Sequence, residues 1–254
     1  MRPRIIPTLL LRDTYLVKGI NFLEHKYVGD PINAVRIFSK MEVDELFFLD
    51  IDATNKGCIT SLEFIKDIAD ECFMPFAVGG GIEDIYQVED ILKCGAEKVV
   101  INTSAYNNTD FISEASAVFG SQAIVVSVDV NFDGEKYNIH TNSGKVKRNR
   151  DLQLYIEEIE VKGAGEILLN SIHHDGLMNG FDTKLINNVS NLVNIPVIAS
   201  GGCWKIQHIE EALNSTNIHS VSAASMFVFK GSRDGVLINY PSKRDLDILF
   251  ERLS

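Results

Sequence analysis

The sequence predicts an α/β protein, and within that class a single (β/α)8 (TIM) barrel made of two duplicated half-barrels. Short, fully apolar segments that end at glycines recur along the chain, as in residues 195–202. Such segments are too short for helices and are typical of strands buried on both faces of a parallel sheet. Helical segments separate them, and 254 residues is the usual length of one such barrel.

The duplication is visible as a repeat with a constant offset of 121 residues. Residues 74–81 have the same form as residues 195–202, and the same offset relates 45–49 to 166–170 and 100–104 to 221–225. This period is far longer than that of a solenoid repeat. Three strands in constant register therefore favour two copies of a half-barrel.

Eight strands follow in order, at residues 4–11, 45–51, 74–79, 98–102, 123–129, 166–171, 196–200 and 219–224. Helices fill the intervals, at about residues 31–40, 60–72 and 84–94, and a last helix covers about 242–253. Asp30 and Pro31 supply a capping residue and an N1 proline for the first of these helices. Because no linker or low-complexity tract interrupts the pattern, residues 1–254 are predicted to form one domain.

Two segments depart from the strand–helix alternation. Residues 13–31 show no clear periodicity, and a nineteen-residue loop after a barrel strand is typical of a lid over the site. About twenty polar residues follow Asp129, where Asp133-Gly134 and Ser143-Gly144 flank residues 136–140. This second pattern predicts a hairpin.

Composition excludes several classes of protein. With 45% apolar and 23% charged residues, the chain is typical of a soluble enzyme, and it lacks the apolar run that a transmembrane helix or a signal peptide needs. The net charge of −11 argues against nucleic acid as a partner. The four scattered cysteines are typical of reduced thiols. We expect a cytoplasmic protein with neither a membrane nor a nucleic-acid partner.

Two glycine clusters lie at strand ends, where barrel enzymes place their chemistry. Each combines free backbone N–H groups with the start of a helix, which is the usual way to hold a phosphate. The first cluster consists of Gly80, Gly81, Asn102 and Thr103, and the second of Gly201, Gly202, Ala224 and Ser225. The alternative is a pair of tight turns that need positive φ. The pairing favours a ligand with a phosphate at each end.

Asp129 ends strand five, and Asp175 follows strand six at the same face. A carboxylate there can act as a general acid or base, although Asp175-Gly176 also fits a simple turn. His173 and His174 do not have the spacing of metal ligands, because the side chains of adjacent residues project apart and no third ligand is near in sequence. We expect no metal and no cofactor.

Four charged residues introduce apolar strands at the opposite end of the barrel: Arg4, Glu45, Lys98 and Glu166. Two cations and two anions there predict a neutral ring across the barrel bottom. A buried ionic ring is costly in desolvation and weak evidence for stability, which favours a gate.

Several segments together resemble one family over essentially the whole chain: residues 4–7, 17–19, 29–31, 44–46, 78–82, 119–122, 163–169, 175–176 and 198–202. They are similar to the cyclase subunit of imidazole glycerol phosphate synthase, the HisF type. The resemblance implies a glutaminase docked on the barrel bottom, with ammonia passing through the barrel to a bis-phosphorylated ribonucleotide. It also matches Arg4, Glu45, Lys98 and Glu166 to the family's gate, and Lys18 to its flexible-loop lysine.

The family's two catalytic aspartates lie at the ends of strands one and five. Asp129 matches the second, but the first falls on Leu10, which cannot transfer a proton. This form, with the segments 26–34, 71–75 and 227–229, resembles a sister group of HisF-like proteins associated with amidation of sugars in surface polysaccharide synthesis.

The resemblance therefore predicts a barrel subunit that carries ammonia from a HisH-like glutaminase to a separate sugar amidotransferase. Two alternatives stay open: an authentic cyclase of histidine biosynthesis, and a non-catalytic scaffold that activates its glutaminase.

Overall fold

The computed structural model describes residues 2–231 and 235–253. Over these residues the strands are β1 (Arg4–Arg12), β2 (Tyr15–Ile20), β3 (Leu23–Gly29), β4 (Leu46–Asp50), β5 (Phe76–Gly79), β6 (Lys98–Ile101), β7 (Ile124–Phe132), β8 (Tyr137–Thr141), β9 (Val146–Lys147), β10 (Glu166–Ser171), β11 (Val197–Ser200), β12 (Ser220–Ala223), β13 (Phe229–Lys230) and β14 (Gly235–Val236). The helices are α1 (Pro31–Lys40), α2 (Ala53–Lys56), α3 (Leu62–Glu71), α4 (Ile85–Lys93), α5 (Thr103–Asn107), α6 (Asp110–Phe119), α7 (Leu152–Val161), α8 (Thr183–Ser190), α9 (Ile206–Ser215), α10 (Ser225–Val228) and α11 (Lys243–Arg252).

The predicted closed barrel is confirmed. Eight parallel strands pair in the circular order β1, β4, β5, β6, β7, β10, β11 and β12, and β12 pairs with β1 to close the ring. A helix follows each barrel strand before the next begins. In this order β4, β5 and β6 lie opposite β10, β11 and β12, so the segments related by the sequence repeat occupy equivalent places in the two halves.

The outer helices form because each has one apolar face, and most of them also have a side-chain cap at the N-terminus. The Asp30 carboxylate accepts a hydrogen bond from the Asn33 N–H at the start of α1, which buries Val35 and Phe38 against the sheet. Ser61, Asp84, Asp151, Asp182 and Ser242 cap later helices in the same way. Burying one face of each helix packs it onto the barrel.

The barrel interior is layered because alternate side chains of each strand point inward. The lowest layer is charged and consists of Arg4, Glu45, Lys98 and Glu166. The layer above it is buried and apolar, formed by Ile6, Phe47, Ala77, Val100, Val125, Leu168 and Ile198. Polar side chains follow it toward the top, including Thr8, Asn102, Ser127 and Asn170. An apolar plug thus separates the charged bottom from a polar mouth.

Residues 13–31 were predicted to be a loop that acts as a lid, and the prediction of a loop is wrong. The segment is an antiparallel hairpin, β2 and β3, paired to the upper end of β1. Its two-residue turn, Asn21-Phe22, has positive φ at both positions, which is the geometry that matches the twist of paired strands. The strand predicted to end at Asp129 also continues, as β7, to Phe132.

The predicted hairpin after Asp129 is confirmed. Strand β8 pairs antiparallel with the upper half of β7, and β9 pairs with β8. The hairpin therefore extends the barrel sheet above the mouth. No helix within the described residues is long and apolar enough to cross a membrane.

Candidate functional site

The four charged residues predicted at the barrel bottom form a closed ring. Arg4 Nη1 lies 2.9 Å from Glu45 Oε2 and 3.0 Å from Glu166 Oε1. Lys98 Nζ lies 2.7 Å from Glu45 Oε1 and 3.2 Å from Glu166 Oε1. Cations and anions alternate around the barrel axis because each residue begins or directly precedes a barrel strand. The predicted neutral ring is thus present as a network in which every member contacts both neighbours.

Burial makes this ring electrostatically sensitive. Desolvation raises the pKa of the Glu45 carboxyl, and the charges of Lys98 and Arg4 oppose that shift. Glu166 Oε2 is buried and accepts no hydrogen bond from any described residue. An unsatisfied buried acceptor is costly unless a small donor reaches it. The ring therefore contains one carboxylate, Glu45, whose charge is opposed by burial, and one buried carboxylate oxygen, Glu166 Oε2, without a partner among the described residues.

Asp129 is the central polar group at the barrel mouth. Asn170 Nδ2 donates to Asp129 Oδ1 at 2.7 Å, and Asn102 Nδ2 donates to Asp129 Oδ2 at 3.1 Å. The Ser127 hydroxyl donates at 3.3 Å. Desolvation by burial raises the pKa of the Asp129 carboxyl to about 6, although these hydrogen bonds lower it. A carboxyl with this pKa is suited to exchange protons near neutrality.

Leu10 lies at the mouth on β1, the strand opposite the β7 strand of Asp129. Both residues line one cavity of about 480 Å³. Leu10 pairs in register with Leu49 of β4 and with Val17 of the hairpin, so its surroundings are apolar. Asp13, three residues later, pairs instead with the exposed Lys56 at 2.5 Å. Other carboxylates also line this cavity, among them Asp50 at the end of β4, whose Oδ1 accepts hydrogen bonds from the Asp52 and Ala53 N–H groups.

The first glycine cluster lines this larger cavity. Gly80 and Gly81 both have positive φ, and a Cβ at Gly81 would lie 1.7 Å from the Cys58 carbonyl oxygen. The Gly81 N–H donates to Thr54 Oγ1 at 3.2 Å, and Thr103 Oγ1 accepts from the Asn142 N–H at 3.0 Å. The cluster is therefore assembled as predicted, but the Gly81 N–H, the Thr103 hydroxyl and the Asn102 amide all have partners within the protein.

The second glycine cluster lines a smaller cavity of about 50 Å³, with Ala224 and Ser225. A Cβ at Gly202 would lie 2.0 Å from the Gly180 carbonyl oxygen, and Gly202 has positive φ. Leu10, Phe22 and Asn170 line both cavities. The two clusters thus sit on either side of the mouth, with the hairpin tip between them.

The hairpin is fastened across the mouth by Lys18. Its Nζ donates to both carboxylate oxygens of Asp175, at 2.8 and 3.0 Å, and to the Gly19 carbonyl at 2.7 Å. Only 3% of the Lys18 side chain is exposed. The Asn21 N–H donates to the Asp175 carbonyl at 2.8 Å. Asp175, predicted as an acid–base or ligand residue, is instead bound to the hairpin in this conformation.

His173 and His174 do have a third polar neighbour, contrary to the sequence argument. Asp182 returns to them through the loop after β10, and single ligand atoms of the three residues all lie within 4.8 Å of one another. His173 Nε2 lies 3.2 Å from Asp182 Oδ2. The distance along the chain concealed this contact, because it depends on how residues 172–181 fold.

Some site residues were missed by the sequence analysis. Asn170, whose amide makes the shortest hydrogen bond to Asp129, corresponds to Leu49 in the 121-residue repeat. The replacement of an apolar residue by a polar one between the two halves was therefore a signal in the sequence. Arg12, His25 and Lys145 also line the larger cavity. No signal could have found His25, because the hairpin that places it there was not predicted.

Comparison with known proteins agrees with this architecture. The chain matches the model of a family described as "Histidine biosynthesis protein" over residues 4–233. It is 43% identical, over 98% of its length and 99% of the relative, to the putative imidazole glycerol phosphate synthase subunit hisF2 of Pseudomonas aeruginosa. It is 41% identical to the putative subunit HisF of Leptospira borgpetersenii, over 98% of this chain and 99% of the relative. It is 40% identical to the imidazole glycerol phosphate synthase subunit HisF of Clostridium botulinum (strain 657 / Type Ba4), over 96% of this chain and 98% of the relative. The chain therefore belongs to the histidine biosynthesis protein family, and within it to the HisF group.

Proposed function

We propose that this chain is a HisF-like barrel subunit that carries ammonia from a HisH-like glutaminase to an acceptor at the barrel mouth. The acceptor reaction is the amidation of a sugar in surface polysaccharide synthesis of the O-antigen type, performed by a separate sugar amidotransferase. The ion ring carries this proposal. Four charges closed into a ring, with Glu45 buried and the other three partly buried, are hard to explain by stability, since apolar packing would serve as well.

The layering above the ring supports passage of a neutral molecule. Ammonia is small and uncharged, whereas ammonium would lose its hydration in the apolar layer at a large free-energy cost. The vacant Glu166 Oε2 can accept an N–H of ammonia at the ring. Beyond the apolar layer, the amides of Asn102 and Asn170 and the carboxyl of Asp129 provide polar partners again.

The lower surface supports a docked partner. Met41, Phe73, Val118 and Val161 are exposed at the C-terminal ends of α1, α3, α6 and α7. In a barrel these helix ends lie at the same end as the strand starts, beside the ring. Phe73 is 86% exposed. Large apolar side chains at one end of the barrel are typical of a protein interface, and the relatives' names call them subunits.

We further propose that the two glycine clusters hold a phosphorylated small molecule across the mouth. Gly80 and Gly81 line the larger cavity, Gly201 and Gly202 line the smaller one, and N–H groups of such glycine turns are typical anion ligands. The hairpin must move for a long ligand to reach both clusters, since Phe22 stands between the two cavities.

The test of ammonia transfer is an isotope competition in the complete system. The barrel, its glutaminase and the sugar amidotransferase receive glutamine with a labelled amide nitrogen, in the presence of excess unlabelled ammonium. Channelled ammonia keeps the label in the product. In Lys98→Met the ring is broken, so the labelled fraction is expected to fall severalfold while glutamine hydrolysis continues.

The control is Lys93→Met, which removes an exposed lysine from the end of α4 near the same face. A labelled fraction that is unchanged in a folded Lys98→Met variant contradicts the gate. Strong stimulation of glutaminase without any labelled product, in the unmodified protein, supports the scaffold alternative instead.

An authentic cyclase is the second candidate, and the raised pKa of Asp129 favours it. Leu10 opposes it, because loss of an acid–base group typically costs about 10²–10⁴ in rate. We therefore expect very low cyclase turnover with ammonium. Growth of a cyclase-deficient strain on this chain at the normal rate would establish the histidine function.

A further inference from the structure

The cluster formed by His173, His174 and Asp182 lies outside the machinery described above. It lies between the loop after β10 and the start of α8, with His174 next to Gly202. We propose that these three side chains form a binding site for a transition-metal ion of the Zn²⁺ type, with His173 Nε2, His174 Nε2 and Asp182 Oδ2 as ligands.

Asp182 supplies the first observation. Its side chain is only 7% exposed, and Oδ2 accepts no hydrogen bond from any described residue. The other oxygen, Oδ1, is held by the Tyr137 hydroxyl at 3.1 Å and by the Leu185 N–H at 3.0 Å. The carboxylate is thus fixed through one oxygen, while the second is buried and faces His173 Nε2 at 3.2 Å. A cation bound between these atoms would take the place of that contact.

The spacing of the ligand atoms is the second observation. His173 Nε2 and Asp182 Oδ2 are 3.2 Å apart without hydrogen-bonding geometry. Two ligands at about 2 Å from a tetrahedral ion lie about 3.3 Å from each other. The His173 and His174 rings are nearly perpendicular, at 83°, with centroids 4.6 Å apart. Small side-chain rotations therefore bring all three ligand atoms onto one ion.

The other nitrogen of each ring is placed as metal-binding histidines require. His174 Nδ1 lies 2.8 Å from the Gly180 carbonyl oxygen, which can only accept, so this nitrogen carries the proton and Nε2 keeps its lone pair. His173 Nδ1 lies 3.3 Å from Ser171 Oγ. When Nε2 binds the ion, the proton is on Nδ1, and the serine hydroxyl oxygen can accept a hydrogen bond from it. His173 Nδ1 then no longer accepts the 3.4 Å hydrogen bond from the Phe132 N–H.

Two imidazoles and one carboxylate form a ligand set that favours zinc over magnesium or calcium. Three protein ligands leave a fourth position for water, on the partly exposed side of the two histidines. Bound metal would join the loop after β10 to the first turn of α8. That loop also carries Asp175, the partner of Lys18, so the site lies close to the fastening of the hairpin.

The test is titration of the full-length, chelator-treated protein with Zn²⁺ alone, followed by calorimetry. One equivalent is expected to bind. His174→Gln and Asp182→Asn are each expected to weaken binding by at least about 100-fold, since even outer-shell partners of a metal site are worth about 10- to 100-fold. Asp182→Asn is chosen because asparagine still caps α8.

Two controls separate this site from adventitious binding. His219→Gln alters an exposed histidine elsewhere, and Cys58→Ser removes the exposed thiol; both should bind zinc as the unmodified protein does. Co²⁺ absorption of the unmodified protein should show tetrahedral nitrogen and oxygen ligation without a thiolate charge-transfer band. Absence of a saturable equivalent, equal affinity in folded His174→Gln, or a thiolate band overturns the proposal.

Discussion

At the scale of single residues, Asp129 shows how the barrel mouth sets its chemistry. The carboxyl is removed from water, and this raises its pKa more than three side-chain donors lower it. Asn102 and Asn170 approach from the two strands that flank β7, so the arrangement depends on barrel closure. A buried carboxyl of this kind is costly to the fold, and its cost depends on pH.

The pH dependence gives a direct prediction for Asp129→Asn. A carboxyl whose pKa is raised from 3.8 to about 6 favours the folded state at low pH, and this contribution is lost as the pH rises through that interval. The stability of the variant relative to the unmodified protein should therefore increase by about 2 kcal/mol between about pH 4 and pH 7. Urea unfolding at both pH values measures it.

Asp133→Asn is the matched control for this measurement. Backbone N–H groups of Lys136 and Glu135 and the ammonium of Lys147 lower the pKa of the exposed Asp133 carboxyl. Its contribution to stability is lost as the pH falls, so the trend with pH should have the opposite sign. A difference between Asp129→Asn and the unmodified protein that stays constant with pH would contradict the burial argument.

At the scale of elements, the barrel strands were predictable and the β2–β3 hairpin was not. Strands such as β5 and β11 are apolar runs that stop at glycines, so hydropathy alone locates them. In the hairpin the relation between hydropathy and burial is reversed. Leu23 and Tyr27 are exposed while Lys18 is buried. The turn at Asn21-Phe22 also lacks the glycine that usually marks it.

The site divides in the same way. The ring and Asp129 could be predicted because strand starts and strand ends fix where they lie in a barrel. The contacts of Asp182 with the histidines, and of Lys18 with Asp175, join segments that are ordered by loop packing. No local pattern in the sequence encodes these contacts.

The ion pair between Lys18 and Asp175 predicts that Lys18→Met weakens the contact between the hairpin and the barrel. Removing the ammonium leaves the Asp175 carboxylate without its main partner, and breaking a buried ion pair typically costs about 3–5 kcal/mol. The cost falls on the contact between hairpin and barrel, so residues 15–29 should exchange amide hydrogens at least about tenfold faster. Hydrogen exchange followed by mass spectrometry measures this segment directly.

Lys26→Met provides the comparison, because Lys26 is opposite Lys18 in the β2–β3 register but is exposed. Its exchange rates should match those of the unmodified protein. If the two variants protect the hairpin equally, then β-sheet pairing with β1, and not the Lys18 contact, holds the hairpin in place.

At the scale of the whole molecule, the two ends of the barrel differ in their charged residues. The lower end has a complete ion ring surrounded by exposed apolar side chains, and the upper end has Leu10 in place of a carboxylate. An apolar layer separates them, so a change at the mouth leaves the ring undisturbed. Under the proposed function, this separation is what allows a different acceptor chemistry at the mouth above an unchanged route for ammonia.

Docking at the lower end is the last prediction. Phe73 lies beyond the end of α3 and Val161 ends α7, and both are more than four-fifths exposed, at 86% and 84%. The double variant Phe73→Glu/Val161→Glu places two carboxylates on this face, where a partner would have to desolvate them. Its affinity for the glutaminase should fall by at least about tenfold, as for interface aromatic residues generally. Calorimetric titration of one subunit with the other measures this affinity.

Tyr86→Glu is the control, because Tyr86 is 77% exposed in the first turn of α4, at the opposite end of the barrel. Circular dichroism should show both proteins folded, since none of these side chains is buried. Equal affinity in the two proteins would mean that the glutaminase does not bind beside the ring, and the path for ammonia would lose its source.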